Sequence, residues 1–142
     1  RAGRRSDDSP LIEVMVVLTH ALLLSEKFAE AEPLAREALA FREKKYPGAR
    51  ATFSIHCMLG ASLLGQKKFA EAEQFLVSGY EGMTQTGGKL LNRDKLRLRE
   101  ALQCLVQLCE ATSRPEKAAD WKSKLAEFVQ PGGKSARSAD GI

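Results

Sequence analysis

The six residues KFAEAE occur twice in this chain, at residues 27–32 and again at residues 68–73, a spacing of 41 residues. Chance is a poor explanation for six identical residues in a chain of 142. Self-similarity at a fixed period of roughly 20–50 residues is typical of repeat architectures. The similarity continues on both sides, since LTHALLLSEKFAEAEPLAREAL aligns with LGASLLGQKKFAEAEQFLVSGY. This repeat constrains the fold more than any other feature of the sequence.

Each copy has the pattern of two helices joined by a short polar break. Apolar and small residues recur three or four positions apart on either side of the break, which is the period of one helix face. In the first copy these residues are Leu18, Leu22, Phe28, Ala31, Ala35 and Ala38. In the second copy they are Leu59, Leu63, Phe69, Ala72, Leu76 and Gly79. At the second break, Gly65 is expected to take the left-handed conformation that ends a helix.

A third, more divergent copy fits the same template 46 residues further on, in LREALQCLVQLCEATSRPEKAADWKSKL. Its template positions are Leu105, Cys109, Pro115, Ala118, Lys122 and Leu125. Pro115 replaces the phenylalanine, which is acceptable because the first residue of a helix has no intrahelical partner for its N–H. We therefore predict an all-α fold of three antiparallel helix pairs. The six helices are expected at about residues 10–25, 28–46, 50–64, 69–85, 93–112 and 115–130.

The composition agrees with one helical domain. The chain is 44% hydrophobic but only 6% aromatic, and Ala, Leu, Glu and Lys outnumber the β-branched residues, which favours helix over sheet. The predicted domain covers residues 10–130, with repeats at about 10–49, 50–92 and 93–130. Residues 1–9 are expected to be a flexible N-terminal segment and residues 131–142 a disordered tail, because few apolar residues anchor them. The absence of an initiator methionine suggests a fragment of a longer protein.

Charge, hydropathy and cysteine number limit the possible environments. No run of about 18 uncharged apolar residues is present, so a membrane partner is not expected. Three cysteines cannot all pair internally, and no segment has the pattern of a secretion signal. The sequence therefore predicts a reduced, cytoplasmic protein.

Several residue patterns resemble chemical sites, but none of them supports catalysis. The phosphate-loop-like GASLLGQK has Gln66 where the loop requires lysine. Cys104 and Cys109 lie five residues apart, about 140° around a helix, so they are expected to fill the core rather than to share a metal. His20 and His56 have no carboxylate or cysteine at ligand spacing on the same face. The sequence predicts no catalytic residue, no metal and no cofactor.

A nucleic-acid site around Trp121 is the remaining alternative, since Lys117, Lys122 and Lys124 are close to it in the sequence. Asp120 and Glu127 dilute that charge, whereas nucleic-acid binding needs a basic stripe on one face. Trp121 is instead expected to cover the end of the repeat array.

The helix pair, its small residues at the helix crossing and the aromatic residue that opens the second helix together resemble the tetratricopeptide repeat (TPR). The spacings of 41 and 46 residues are similar to the longer, kinesin-light-chain-like variety. The phrases MLGASLLGQKKFAEAEQFLVSGYEGM and LVQLCEATSRPEKAADW are similar to the C-terminal TPR regions of bacterial eukaryotic-type serine/threonine kinases. No kinase motif is present in the sequence.

This resemblance implies a right-handed superhelical solenoid whose first helices line a concave groove for a peptide or helix of a partner protein. It implies the following groove residues: Glu13, Val16, His20, Leu23, Ser54, Cys57, Ala61, Leu64, Glu100, Gln103, Gln107 and Glu110. We expect an interaction module of a larger signalling protein, with apolar anchors at one end of the ligand and basic residues at the other. The alternative is a structural spacer or a homo-oligomerising segment of a longer array, because the first helix is apolar on nearly all sides.

Overall fold

The computed structural model describes residues 2–141, and within them the side chains of residues 10–128. Its six helices are α1 (Ala2–Leu24), α2 (Phe28–Lys45), α3 (Arg50–Gly65), α4 (Phe69–Gln85), α5 (Asn92–Ala111) and α6 (Pro115–Gly141). No strand occurs in residues 2–141, so the all-α prediction is confirmed. The flexible segment predicted at 1–9 and the disordered tail predicted at 131–142 lie outside the residues whose side chains are described.

Consecutive helices pack against each other, and α3 also packs against both α1 and α5. The first helices of the three pairs therefore form one continuous layer in the order α1, α3, α5. Within the described chain, the backbones of the second helices α2, α4 and α6 do not come into contact. Each pair is thus joined to the next mainly through a first helix.

The three turns inside the pairs have the same backbone geometry. Each contains one residue with a positive φ, and these residues are Glu26 (φ 60°), Lys67 (φ 66°) and Ser113 (φ 59°). The following residue donates its N–H to a carbonyl five residues earlier, from Lys27 to Leu22, from Lys68 to Leu63 and from Arg114 to Cys109. This is the Schellman arrangement that satisfies the last carbonyls of a helix. The divergent third copy therefore has the same turn as the other two.

The prediction for Gly65 is wrong. Gly65 is the last residue of α3, and the left-handed conformation occurs two residues later, at Lys67. A Cβ atom at Gly65 would overlap the ring of Phe28. The position needs glycine because the start of α2 approaches it closely, not because of its backbone conformation.

Small residues bring the helices of each pair together, as the template predicts. Ala31, Ala72 and Ala118 are at most 3% exposed. Two glycines bring α3 and α4 especially close, since a Cβ atom at Gly60 would meet Leu76 and one at Gly79 would meet Cys57. The core formed around these contacts runs through all six helices.

The repeated KFAEAE links one helix pair to the next. Glu32, the last residue of the first copy, accepts a hydrogen bond from Lys68 at 3.2 Å. Glu73, its counterpart in the second copy, accepts two from Arg114, at 2.8 and 3.2 Å. Lys68 and Arg114 occupy the same position in consecutive turns. The hexapeptide thus carries both the buried alanine of the helix crossing and a carboxylate that contacts the following turn.

Candidate functional site: two clefts along the first helices

The larger cleft lies between α1, α3 and α5 and has a volume of about 540 Å³. Seven of the predicted groove residues line it, namely His20, Leu23, Ala61, Leu64, Glu100, Gln103 and Gln107. Phe28 and Phe69, the first residues of α2 and α4, also line it. Sequence reasoning assigned both phenylalanines to the helix packing alone. The larger cleft therefore combines an apolar lining with a few polar groups.

The smaller cleft, of about 280 Å³, lies toward the other end of the same helices. It contains three further predicted groove residues, Glu13, Val16 and Ser54. Four arginines also line it, which are Arg42, Arg50, Arg93 and Arg97. The repeat template does not predict these cations, since it does not place their helix faces in the groove.

Arg50 has a structural role in the smaller cleft. Its guanidinium donates to the Thr86 hydroxyl, to the Asp94 carboxylate and to the backbone carbonyls of Gly87, Gly88 and Lys89. Asp94 in turn accepts a hydrogen bond from the backbone N–H of Leu91. Arg50 therefore holds the connection between α4 and α5 against the start of α3.

A polar cluster lies where the two clefts adjoin. Arg97 donates to Glu100 at 2.6 Å and to the Ser54 hydroxyl at 3.2 Å. His20 Nε2 lies 3.8 Å from the other oxygen of Glu100, which is beyond hydrogen-bonding distance. This nitrogen is buried and has no hydrogen-bond partner in the described part of the molecule. Buried polar atoms normally have a hydrogen-bond partner, and this one belongs to a residue that lines the larger cleft.

Two predicted groove residues do not line either of these clefts. Cys57 is only 2% exposed and borders a space of about 20 Å³. Glu110 lies 3.0 Å from Lys122 of α6, in an ion pair. Because Glu100 is likewise paired with Arg97, the carboxylates expected to attract a basic ligand already have cationic partners.

The cysteine thiols are poor nucleophiles. Burial raises the pKa of both Cys57 and Cys104 to about 12, so both remain protonated at neutral pH.

No group of three or more potential metal ligands occurs among the described residues. Across the same part of the chain, no helix is both long enough and apolar enough to cross a membrane.

Sequence reasoning missed a hydrogen-bonded serine, histidine and glutamate. The two ring nitrogens of His56 lie 2.8 Å from the Glu43 carboxylate and 2.9 Å from the Ser78 hydroxyl. Glu43 and Ser78 are 13 and 22 residues from His56, on α2 and α4, so only the fold brings the three together. Ser78 lies within α4, where the helix uses the neighbouring N–H groups, and neither cleft reaches it. The three residues connect helices α2, α3 and α4.

No family model, no curated protein and no solved structure matches this chain. Its class is therefore defined by its own features. It is an all-α protein in which a repeated helix pair forms a layer of first helices with clefts along it.

Proposed function

We propose that this chain is a non-catalytic protein-binding module of the TPR type, part of a larger signalling protein, whose three helix pairs form a right-handed solenoid. The larger cleft is the observation that carries this proposal. Its lining is mainly apolar, with a few convergent polar groups, and it draws on all three first helices. The matching turns of the three pairs support the assignment to a repeat class.

The lining of the larger cleft defines the chemistry of the ligand. Leu23, Leu64 and Phe69 offer contacts for one or two apolar side chains. Gln103 and Gln107 are exposed on α5, and their amides can donate to and accept from the backbone of an extended or helical segment. The buried Nε2 atom of His20 adds one polar contact. The ligand is thus an amphipathic peptide with apolar anchors and little need for charge.

The charge of this ligand differs from the sequence-based expectation. A basic end was expected because Glu100 and Glu110 were placed in the groove without partners. Both carboxylates have cationic partners that already compensate their charge, so they attract a basic peptide less strongly than unpaired carboxylates would. We expect affinity to depend weakly on salt, because apolar burial rather than ion pairing stabilises the complex.

The test is a peptide selection on the immobilised full chain, followed by fluorescence titration of the selected peptides. Leu64→Glu is expected to weaken binding about tenfold or more, since it places a charge among the apolar anchors. Leu96→Glu on α5 is the matched control, because Leu96 is exposed and lines neither cleft. Circular dichroism checks that both variants are folded. Selected peptides that bind the two variants equally would contradict the proposal.

A further inference from the structure

We propose that the outer face of α1, with Lys27 and Glu30 beside it, is a docking surface for one further helix pair of this repeat type. A polypeptide other than a second copy of this chain supplies that helix pair. Apart from Leu24, which borders the larger cleft, this surface lies outside the groove, and the proposal does not depend on the proposed function. Two independent observations support it, one on apolar burial and one on charge.

The first observation is that α1 exposes positions that the other first helices bury. Leu11, Val14, Val17 and Leu18 are 46–65% exposed. The residues 41 positions later in α3, Thr52, Ile55, Met58 and Leu59, are at most 2% exposed. Of their four counterparts in α5, Leu98, Ala101 and Leu105 are at most 1% exposed, and Cys104 is half-buried. In α3 this face packs against the preceding helix pair, so the same kind of neighbour would cover it in α1.

The second observation concerns the hydrogen bonds between charged side chains that join one helix pair to the next. The first and last pairs of the described array each have a side where these hydrogen bonds are not formed. Lys68 and Arg114 contact a glutamate of the preceding pair, whereas Lys27, at the same position of the first turn, contacts no carboxylate among the described residues. Glu71 accepts a hydrogen bond from Arg36 of the preceding pair at 2.7 Å. Its counterpart Glu30 is exposed and has no ion-pair partner in residues 10–128.

These open positions define the docking helix. By analogy with Glu32 and Arg36, it carries a glutamate that reaches Lys27 and, four residues later, an arginine that reaches Glu30. The first residue of this docking helix is small. In the described structure the first residue of α2, Phe28, fits against Gly65 of α3, but the equivalent position of α1 is Leu24, which leaves no room for an aromatic ring. The partner is therefore a related helix pair and not an identical one.

A second copy of this chain does not meet these requirements. Its glutamates in α2 and α4 already contact the next turn. At its far end, α6 has Ala119 and Ser123 at the positions of Glu32 and Arg36. A second copy would therefore cover the apolar face without supplying either charge.

The experiment joins a copy of residues 10–49, carrying Phe28→Ala, through a Gly/Ser linker to the N-terminus of the full chain. Val17→Cys in the full-chain part reports the exposure of α1 through its rate of alkylation, with the parent cysteines as background. We expect the added pair to slow this alkylation about tenfold or more. Leu96→Cys, on an exposed part of α5, is the control and should react at the same rate with and without the added pair.

Charge reversal tests the ion pair between Lys27 and the glutamate of the added helix pair. Lys27→Glu in the full-chain part is expected to restore fast alkylation of the Val17→Cys site, and Glu32→Lys in the added pair to slow it again. Lys124→Glu makes the same charge change on α6 and should have no effect. An unchanged alkylation rate in the fusion would overturn the proposal. Concentration-dependent protection of the unfused chain would also overturn it, because a second copy would then be the occupant.

Discussion

At the scale of single residues, the contacts that decide packing involve atoms that cannot move away. A Cβ atom at Gly79 would lie 2.5 Å from the sulfur of Cys57 and 2.8 Å from the backbone oxygen of Phe53. Backbone atoms of α3 cannot shift without moving the helix. Gly79 is therefore required for the close approach of α3 and α4.

Gly79→Ala is expected to lower the free energy of unfolding by about 1–3 kcal/mol, because the new methyl group overpacks the α3–α4 contact. Gly48→Ala is the matched control, since no atom lies within 4 Å of a Cβ built there. Urea denaturation of the two variants measures the difference. Equal stability of Gly79→Ala and the parent chain would mean that α4 lies farther from α3 than described.

Glu32 gives the stability a specific dependence on acid. A hydrogen bond from Gln66, with further ones from Arg36 and Lys68, lowers the pKa of Glu32 from 4.5 to about 2. Because the folded pKa is below the unfolded one, the ionised form stabilises the fold fully above pH 4.5. That contribution is lost as the pH falls from 4.5 through 2.

Glu32→Gln should therefore lower the free energy of unfolding at pH 7 by about 1–3 kcal/mol and flatten its decline between pH 4.5 and 2. Glu37→Gln, on an exposed position of the same helix, should leave both properties nearly unchanged. Denaturant titrations at a series of pH values provide the measurement. A Glu32→Gln variant whose stability falls as steeply as that of the parent chain would contradict the assigned role.

At the scale of the elements, the repeat is defined as much by its turns as by its helices. All three turns place a residue with a side chain in the left-handed conformation, which costs roughly 1–2 kcal/mol relative to the right-handed one. None of these three residues is a glycine. Hydrogen bonds to the last carbonyls of the first helix and packing of the second helix offset the cost.

Glu26→Gly is expected to raise the free energy of unfolding by about 1 kcal/mol, because glycine adopts a positive φ without steric cost. Ser25→Gly, one residue earlier and without a positive φ, should bring no gain. Thermal melting of the two single variants separates the backbone effect from a general loosening of the turn. If Glu26→Gly were the less stable of the two, the turn would not have the described geometry.

At the scale of the whole molecule, stability is expected to be uneven along the array. In such arrays each pair contacts only its neighbours, so burial is greatest where neighbours exist on both sides. The first helix α3 packs against α1, α2, α4 and α5, whereas α1 packs against α2 and α3 alone within the described chain. The two equivalent helices therefore differ in how many contacts must break before they open.

Hydrogen exchange should show this difference directly. Amides in residues 11–24 are expected to exchange about tenfold or more faster than those in residues 52–65, because local opening of α1 breaks fewer contacts. Mass spectrometry of the full chain at neutral pH measures both segments in one experiment. Equal protection of the two helices would show that α1 is covered as completely as α3.

The sequence by itself determined the number of helices, their order and nearly all of their boundaries. These properties are local, since periodicity, turn residues and a repeated hexapeptide are all read within a window of a few turns. The same template located the buried alanines of the helix crossings, Ala31, Ala72 and Ala118. Ten of the twelve predicted groove residues line one of the two clefts.

The tertiary structure alone decided which charges pair and where the groove divides. Arg97, Glu100 and Ser54 meet at the junction of the clefts, and His56 joins Glu43 to Ser78 across three helices. These partners are up to 43 residues apart in the chain. Their meeting depends on how the helices cross and rotate, which a repeat template does not specify. For the same physical reason, the sequence placed Glu100 and Glu110 in an acidic groove, whereas the fold gives each of them a cation.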